Sequence, residues 1–404
     1  MRFSLTARWV FPVSSPPIER GVVEIDAGRI SAVHNRRDNT AVDLGNVAVL
    51  PGLVNAHTHL EFSDLPCPVE PPRPFTDWIN ALVAVRRTHP ATRDVLQRGL
   101  AECVNHGTAL VGEIATQDWP PGDYHHSGLS KVVFRELIGM SLERAAAQMD
   151  IARQWLDNSA LDDPSLTRGL SPHAPYSVHP DLYRDLVKLA AERGVPVAIH
   201  LAETEAELEF LRDGTGEFVA MLQRFNAWNA NAIPRGTRPL DYLLPLAALP
   251  RALVIHGNHL GSAEFDWLAR HPQVSVVYCP RTHFFFNHVP HPWMKMLNRG
   301  TNVALGTDSR GSNPDLSLWR EMQFLSRRFP SFDPATLLSM GTHAGAKALG
   351  QAAECGTLEQ GKRADLTVVR LGTDGAGNPY DSLFAGQDAV RLGVIQQELG
   401  LADV

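Results

Sequence analysis

The 404-residue sequence contains no run of 18 or more apolar residues, so nothing in it reads as a membrane span. It has no C-x-x-C pair. Its four cysteines (Cys67, Cys103, Cys279, Cys355) lie far apart, which offers no disulfide framework and suits a reducing compartment. An excess of positive charge is also missing: the formal net charge is −7, without the clustered cations that phosphate backbones require. The opening "MRFSLTARWVFPVSSPPIERG" has neither a long apolar segment nor a small-residue cleavage site, so no secretory signal is expected. These absences leave the expectation of a soluble cytoplasmic protein whose partner is a small molecule, not nucleic acid or a membrane.

What the chain does have is ordinary globular composition, 44% hydrophobic and 20% charged, and enough length for a large barrel plus a modest second unit. Seventeen histidines are many, and several follow apolar runs. Near the start, "GVVEIDAGRISAVHN" sets β-branched residues around an Asp-Ala-Gly turn, a hairpin signal.

From residue 48 one pattern repeats. A short run rich in Val, Ile, Leu or Ala ends in a polar or titratable residue, and a helix-like stretch follows. The runs are "AVLPGLVNAHTH", "TALVGEIA", "KVVFRELIG", "TRGLSPHAPYS", "VPVAIHLAE", "RALVIHGNHL", "VSVVYCPRTH" and "NVALGTDS". Between them lie helical segments such as "PDLYRDLVKLAAERG", opened by Pro180 and stopped at Gly194. Strands alternating with helices pair in parallel, and eight of them predict an α/β fold, a closed (β/α)8 TIM-like barrel. A doubly wound sheet would want a Gly-rich phosphate turn after its first strand, and "NAHTHLEF" is not one. After "FDPATLLSMGTHAGAKALG", read as a terminal helix, "CGTLEQGKRADLTVVRL" returns to strand chemistry. The expected organisation is residues 1–49 as the first part of a small composite β-sandwich, 50–351 as the barrel, and 352–404 as the second sandwich part with a C-terminal helix read in "DAVRLGVIQQELGLADV".

Barrel active sites lie at the C-terminal ends of the strands. Those ends here carry His57 and His59, one strand face apart by two, then His200, His256 and Asp308. Taken singly each is ordinary: a lone strand-end histidine is more often hydrogen-bonded or on the surface, and an aspartate in "GTDS" suits a turn. Their joint placement is what those readings explain badly. Three imidazoles and a carboxylate suit one borderline divalent ion, with a position left open for water.

The motifs "PGLVNAHTHL", "VAIHLAETEAELEFL", "VIHGNHL", "CPRTH", "ALGTDS" and "AGAKALG…GTLEQGKRADLTVV" together resemble the amidohydrolase superfamily. The likeness is greatest to its deaminase and chlorohydrolase branch, near adenosine-type and aminodeoxyfutalosine deaminases. Position by position, the resemblance implies His57, His59, His200 and Asp308 as metal ligands, Glu203 as the proton-shuttling carboxylate, and His256 as the residue that orients the attacking hydroxide or the substrate. It implies zinc first, with iron able to use the same ligands, and a homodimer is common among such proteins. Binuclear members carry a carboxylated lysine at the end of strand 4; here that strand ends "SPHAPYS" without one, which favours a single ion and deamination. A metal lowers the pKa of bound water toward neutrality. Asp308 can take the water's proton, charged His256 can steady the developing anion, and Glu203 can protonate a ring nitrogen and then the leaving amine.

Substrate contacts are expected from Glu61, in a strand 1 motif "HTHLEFS" similar to that of aminodeoxyfutalosine deaminases, from Arg135 toward a carboxylate, and from His173. Trp78 and Phe284 to Phe286 are candidates for a stacking wall. "CPRTHFFFNH" departs from the Ser-Asn usual after "CP-x", and leaves open whether His283, His288 or His291 reach the pocket. The implied function is a mononuclear metal-dependent aminohydrolase acting on a purine nucleoside or related N-heterocycle. The alternatives are another mononuclear hydrolase acting on a cyclic amide, guanidine-type or halogenated ring, and a non-catalytic scaffold, against which the complete ligand set counts.

Overall fold

The computed structural model of the protein describes residues 2–116, 128–159, 163–372 and 377–393. The chain begins with short strands: β1 (Arg2–Thr6), β2 (Trp9–Val10), β3 (Ile18–Glu19), β4 (Val22–Asp26), β5 (Arg29–His34), β6 (Val42–Asp43) and β7 (Val47–Pro51). The expected hairpin is β4–β5. Ala27 and Gly28 stand at φ 48° and 75°, the two left-handed positions of a turn whose twist matches the flanking strands.

Eight parallel runs follow, each where the sequence places it: β8 (Leu53–His59), β9 (Thr108–Ala115), β10 (Ser130–Leu137), β11 (Leu166–Pro172), β12 (Val197–Leu201), β13 (Ala252–His256), β14 (Val274–Tyr278), and an eighth broken into β15 (Val303–Leu305) and β16 (Asp308–Ser309). Helices such as Phe75–Thr88, Leu142–Asp157 and Pro180–Arg193 pack outside. The last of these stops at Gly194 with φ 65°, as its sequence predicts. The broken eighth strand closes the barrel. β15 pairs with β14 and β16 with β8, and between them Gly306 N donates to Tyr278 O (3.0 Å) and Thr307 N to His57 O (3.1 Å). A Cβ on Gly306 would stand 2.9 Å from His57 Cβ and O, so only glycine allows this approach.

The interior below the strand ends is apolar, filled by Val54, Ala56, Leu110, Ile114, Val132, Phe134, Ala198 and Ile255. A larger apolar shell joins the outer strand faces to the helices. Burying one such side chain contributes about 1.5–3 kcal/mol. The chain then adds β17 (Leu366–Arg370) and β18 (Ala389–Arg391). One sheet runs β5-β4-β1-β6; the other, β18-β17-β7-β2-β3, joins strands from both ends of the chain. No helix among the described residues is long and apolar enough to cross a membrane.

Two local expectations need correction. The stretch read as one terminal helix is two, Pro334–Met340 and His343–Ala348, parted at Gly341 and Thr342. The segment read as a C-terminal helix begins as strand β18, because Ala389 and Val390 complete a ladder with Val369 and Val368; residues 394–404 lie outside the described residues.

Asp308 is held from behind by a buried polar network. Asn55 and Thr307 exchange two hydrogen bonds (2.8 and 3.1 Å), and Asn313 Nδ2 bridges Thr307 O (2.7 Å) and Glu321 Oε1 (2.6 Å). Fully buried Glu321 accepts from Arg281 Nε (2.6 Å) and Arg281 N (2.9 Å). Removing Glu321 would leave Arg281 with Asp315 alone and take an acceptor from Asn313 Nδ2 and from Arg281 N, at a cost of about 3 kcal/mol. Glu321→Ala is therefore expected to lower unfolding stability by about that amount in a urea titration; a change within experimental error would contradict the network's role.

Candidate active site

The side chains at the strand ends converge because three strands break their alternation. In β8, Asn55 pairs with Val111 but Thr58 with Glu113, so one extra residue bulges. Val54 and Ala56 face inward before the bulge; His57 and His59 face inward after it. His256 and Asp308 adopt left-handed φ values of 66° and 58° at the ends of β13 and β16. For residues other than glycine such conformations cost about 1–3 kcal/mol and collect at functional sites.

The resulting cluster is tight and buried. His57 Nε2 and His59 Nε2 lie 3.5 and 3.6 Å from Asp308 Oδ1. Ring centroids of His57 stand 4.9 Å from His59, 5.0 Å from His200 and 5.8 Å from His256. One donor atom each from His57, His59 and Asp308, and likewise from His57, His200 and His256, fall within 4.8 Å of one another. Both ring nitrogens of His57 and Nδ1 of His59 are buried without a hydrogen-bond partner. A buried imidazole nitrogen with no partner is costly unless it ligates an ion. Burial, followed by the neighbouring imidazoles, holds His57 well below the usual imidazole range and His200 at about 4. The rings are thus neutral, the form that ligates. His200 Nδ1 donates to His173 O (3.1 Å), leaving Nε2 with its lone pair. Asp308 Oδ2 accepts from Ser312 Oγ (2.8 Å). This donor set fits a borderline divalent ion.

Glu203 Oε1 lies 3.4 Å from His256 Nε2. Burial, with the charges of Asp308 and Glu207 added, pushes the Glu203 carboxyl well above its ordinary range. Glu203 is buried, not the solvated helix-start carboxylate its glutamate-rich stretch also allowed; that role falls to exposed Glu205. The sequence reading takes His256 as charged, whereas burial holds it well below the usual imidazole range and therefore neutral.

A cavity of about 420 Å³ opens from this cluster, lined by His59, His173, His200, Glu203, His256 and Asp308 at its base. His173 shares a hydrogen bond with Ser177 Oγ (2.6 Å), lies 3.9 Å from Glu136 Oε1 and lines the cavity. Trp78 lines the cavity, and its ring packs 4.9 Å from Phe286; of the Phe284–Phe286 run, none lines it. His283, His288 and His291 do not line it either; His291 Nε2 donates to His256 O (2.8 Å) from behind.

Arg135 and Glu61 stand apart from this cavity. Inward positions of β10 are Val132, Phe134 and Glu136, so alternation turns Arg135 outward, where Nη1 donates to Thr116 O (2.5 Å). Glu61 is buried under Arg86, whose Nε and Nη2 donate to it at 2.9 and 2.6 Å; burial pushes its carboxyl up to about 7. Both residues line a neighbouring recess of about 250 Å³ instead.

Several contributors escaped sequence reasoning. Phe75, Ile79, Leu82, Val83 and Arg86 share one helix face with the expected Trp78 along the cavity, a 3.6-residue periodicity legible in "FTDWINALVAVRRT". Glu207 had no such signal. Its oxygens accept from Ala202 N (2.8 Å) and Glu203 N (2.9 Å), fixing the turn at Ala202 (φ 53°) that presents Glu203.

The model of the amidohydrolase family matches residues 48–395. The chain belongs to the amidohydrolase family. This amidohydrolase is 30% identical over 384 residues to a 5-methylthioadenosine/S-adenosylhomocysteine deaminase of Moorella thermoacetica, covering 90% of this chain and 84% of that one. Two solved structures share its fold. One is Helicobacter pylori aminofutalosine deaminase in complex with methylthio-coformycin (TM-score 0.78, 22% identity, 96% and 97% of the two chains). The other is a Xanthomonas campestris adenosine deaminase with bound zinc (TM-score 0.71, 24% identity, 96% and 89%).

Glu207→Gln replaces one acceptor oxygen with an amide that cannot accept from a backbone N–H. The expected outcome is a loss of about 1–3 kcal/mol in stability and, through the displaced Glu203, a fall in turnover of about a hundredfold. Steady-state kinetics beside thermal melts check this; unaltered turnover would contradict the positioning role.

Proposed function

We propose that this amidohydrolase is a mononuclear metal-dependent aminohydrolase that releases ammonia from a purine nucleoside or related N-heterocycle. The observation that carries this reading is Glu203, a buried carboxyl whose protonated form burial favours, 3.4 Å from His256 and facing the imidazole–carboxylate cluster. Hydrolysis of an aromatic amine needs an acid that protonates the ring and later the departing amine, and a base that receives a proton from water. Glu203 has the environment of the acid. The names of the deaminase relatives support the same chemistry.

In this reading His57, His59, His200 and Asp308 hold one divalent ion, zinc by the chemistry of its donors. When bound, the ion supplies Lewis acidity and lowers the pKa of a coordinated water. Asp308, its Oδ2 held by Ser312, receives the water's proton. Glu203 gives its proton to the ring nitrogen of the substrate, regains one from the hydroxyl added at the attacked carbon and passes it to the leaving amine, and the proton on Asp308 then restores the Glu203 carboxyl. Neutral His256, its backbone carbonyl fixed by His291, donates one N–H to the oxygen that gains charge at the attacked carbon. His173 faces the same space from the end of β11. Glu61 and Arg135, the expected substrate contacts, line the recess beside the cavity that they share with Arg86.

Two outcomes test the assignment. Glu203→Gln is expected to lower kcat by about 10²–10⁴-fold while metal content stays near one per chain; wild-type turnover would remove Glu203 from the acid role. His200→Ala is expected to lower metal occupancy, measured by elemental analysis after dialysis. Full occupancy in that variant would contradict the ligand set. A panel of adenosine, methylthioadenosine, S-adenosylhomocysteine, aminodeoxyfutalosine, guanine, cytosine and a chlorinated triazine, read by ammonia or chloride release, separates deamination from the other ring hydrolyses.

A further inference from the structure

Outside the reacting centre the chain gathers a second group of imidazoles. His259 follows β13, and His283 and His288 lie in the segment after β14. The rings of His259 and His288 stand 6.0 Å apart at 89°, and those of His283 and His288 stand 5.6 Å apart. These spacings lie at and just above the upper end of the 4.9–5.8 Å that separates His57 from its neighbours in the first cluster. None of the three lines the active-site cavity.

Their hydrogen bonding sets them apart from most of the other histidines. Nε2 of His259 and Nε2 of His288 are buried without a hydrogen-bond partner. Among the described residues that condition is shared by ring nitrogens of His57 and His59 and by Nδ1 of His343. By contrast, His291 commits both its nitrogens: Nε2 donates to His256 O and Nδ1 accepts from Trp293 N (2.9 Å). His283 Nε2 donates to Val289 O (2.8 Å), which leaves Nδ1 with its lone pair. Burial holds His283 at about 4 and His288 at about 3, so both rings are neutral, the form that ligates.

The backbone brings these rings together. Asn287 takes a left-handed φ of 49°, its N donating to Phe284 O (2.9 Å), and His288 N donates back to His283 O (3.3 Å). Arg73, whose charge reaches His288, is committed to the carbonyls of Phe286 and Asn287. Glu205 brings the opposite charge to His259. Neighbouring neutral imidazoles with buried, unpartnered nitrogens are costly as isolated polar groups, and imidazole is a preferred ligand of zinc, nickel and copper.

We propose that His259 and His288, with His283 beside them, form a second binding site for a divalent transition-metal ion, apart from the reacting centre. An ion there ties the segment after β14 to the loop after β13. The same segment carries His291, which holds the carbonyl of His256, so the ion braces the backbone behind that residue. The site has fewer and wider-set ligands than the first, which makes it the weaker of the two and lets dialysis empty it. The inference does not depend on which ring the enzyme hydrolyses.

The test uses the full untagged chain, dialysed and carrying its first ion, titrated with zinc chloride in a calorimeter. Uptake of about one further ion per chain is expected, with a melting temperature that rises with zinc concentration. In H259Q and in H288Q the second uptake should weaken about tenfold or more. In the double variant it should vanish while the dialysis-resistant ion stays. H343Q, whose ring stands in no imidazole pair among the described residues, should behave as the native protein does. No second uptake in the native protein, or uptake unmoved in the double variant, overturns the proposal. Should the variants not fold, copper(II) added to the zinc-loaded native protein decides by electron paramagnetic resonance. Nitrogen couplings from two or more imidazoles support the site, and oxygen-only coordination overturns it.

Discussion

Closure of the barrel by its broken eighth strand is the constraint on which the site depends. Where β15 leaves β14 and β16 joins β8, Gly306 lets the chain pass against His57, and Asp308 arrives within 3.6 Å of both histidines of strand 1. The carboxylate and the two imidazoles come from opposite ends of the barrel's chain order and meet only because the sheet is closed. The Asn55–Thr307–Asn313–Glu321–Arg281 network holds this junction from outside the barrel. Structure and site are thus one problem in this fold: what closes the barrel also places a ligand.

Burial then determines the chemistry. The interior beneath the strand ends is largely apolar, so the polar groups above it sit in a dry environment that disfavours charge. Imidazoles stay neutral there and can ligate. Burial favours the protonated form of Glu203, the form that can act as an acid. Such a cluster is unstable as a set of orphaned polar groups, and His57 has no hydrogen-bond partner at either nitrogen. The left-handed turns at Ala202, His256 and Asp308 add backbone strain at the same places. A fold that tolerates these costs at one end is organised around what that end binds.

Much of this was legible in the sequence. All eight barrel strands lie in the runs that pattern alone marks, since short apolar runs bounded by turns are a strong local signal, and the β4–β5 hairpin follows from Asp-Ala-Gly. The convergence of His57, His59, His200, His256 and Asp308 was legible because barrel geometry assigns strand ends to one face. The bulge in β8 was not, although without it the Ala56 phase would hide both histidines. The places of Glu61 and Arg135 were not legible either: Arg135 takes the outer side of β10, and Glu61 lies in the 3-10 turn Leu60–Phe62 after β8, where it pairs with Arg86. Arg86, Arg87 and Arg144 needed tertiary structure, because helices distant in sequence bring them to one cavity. The C-terminal segment was read as a helix from its composition, but a free edge beside β17 outweighed local propensity at Ala389–Arg391.

X-ray absorption at the metal edge of the dialysed protein, with the metal quantified per chain, addresses the central claim most directly. The expected result is one ion per chain in a shell of nitrogen and oxygen donors at about 2.0–2.2 Å, with scattering from three imidazole rings. Metal well below one per chain, or a sulfur shell at about 2.3 Å, would contradict the site built from His57, His59, His200 and Asp308.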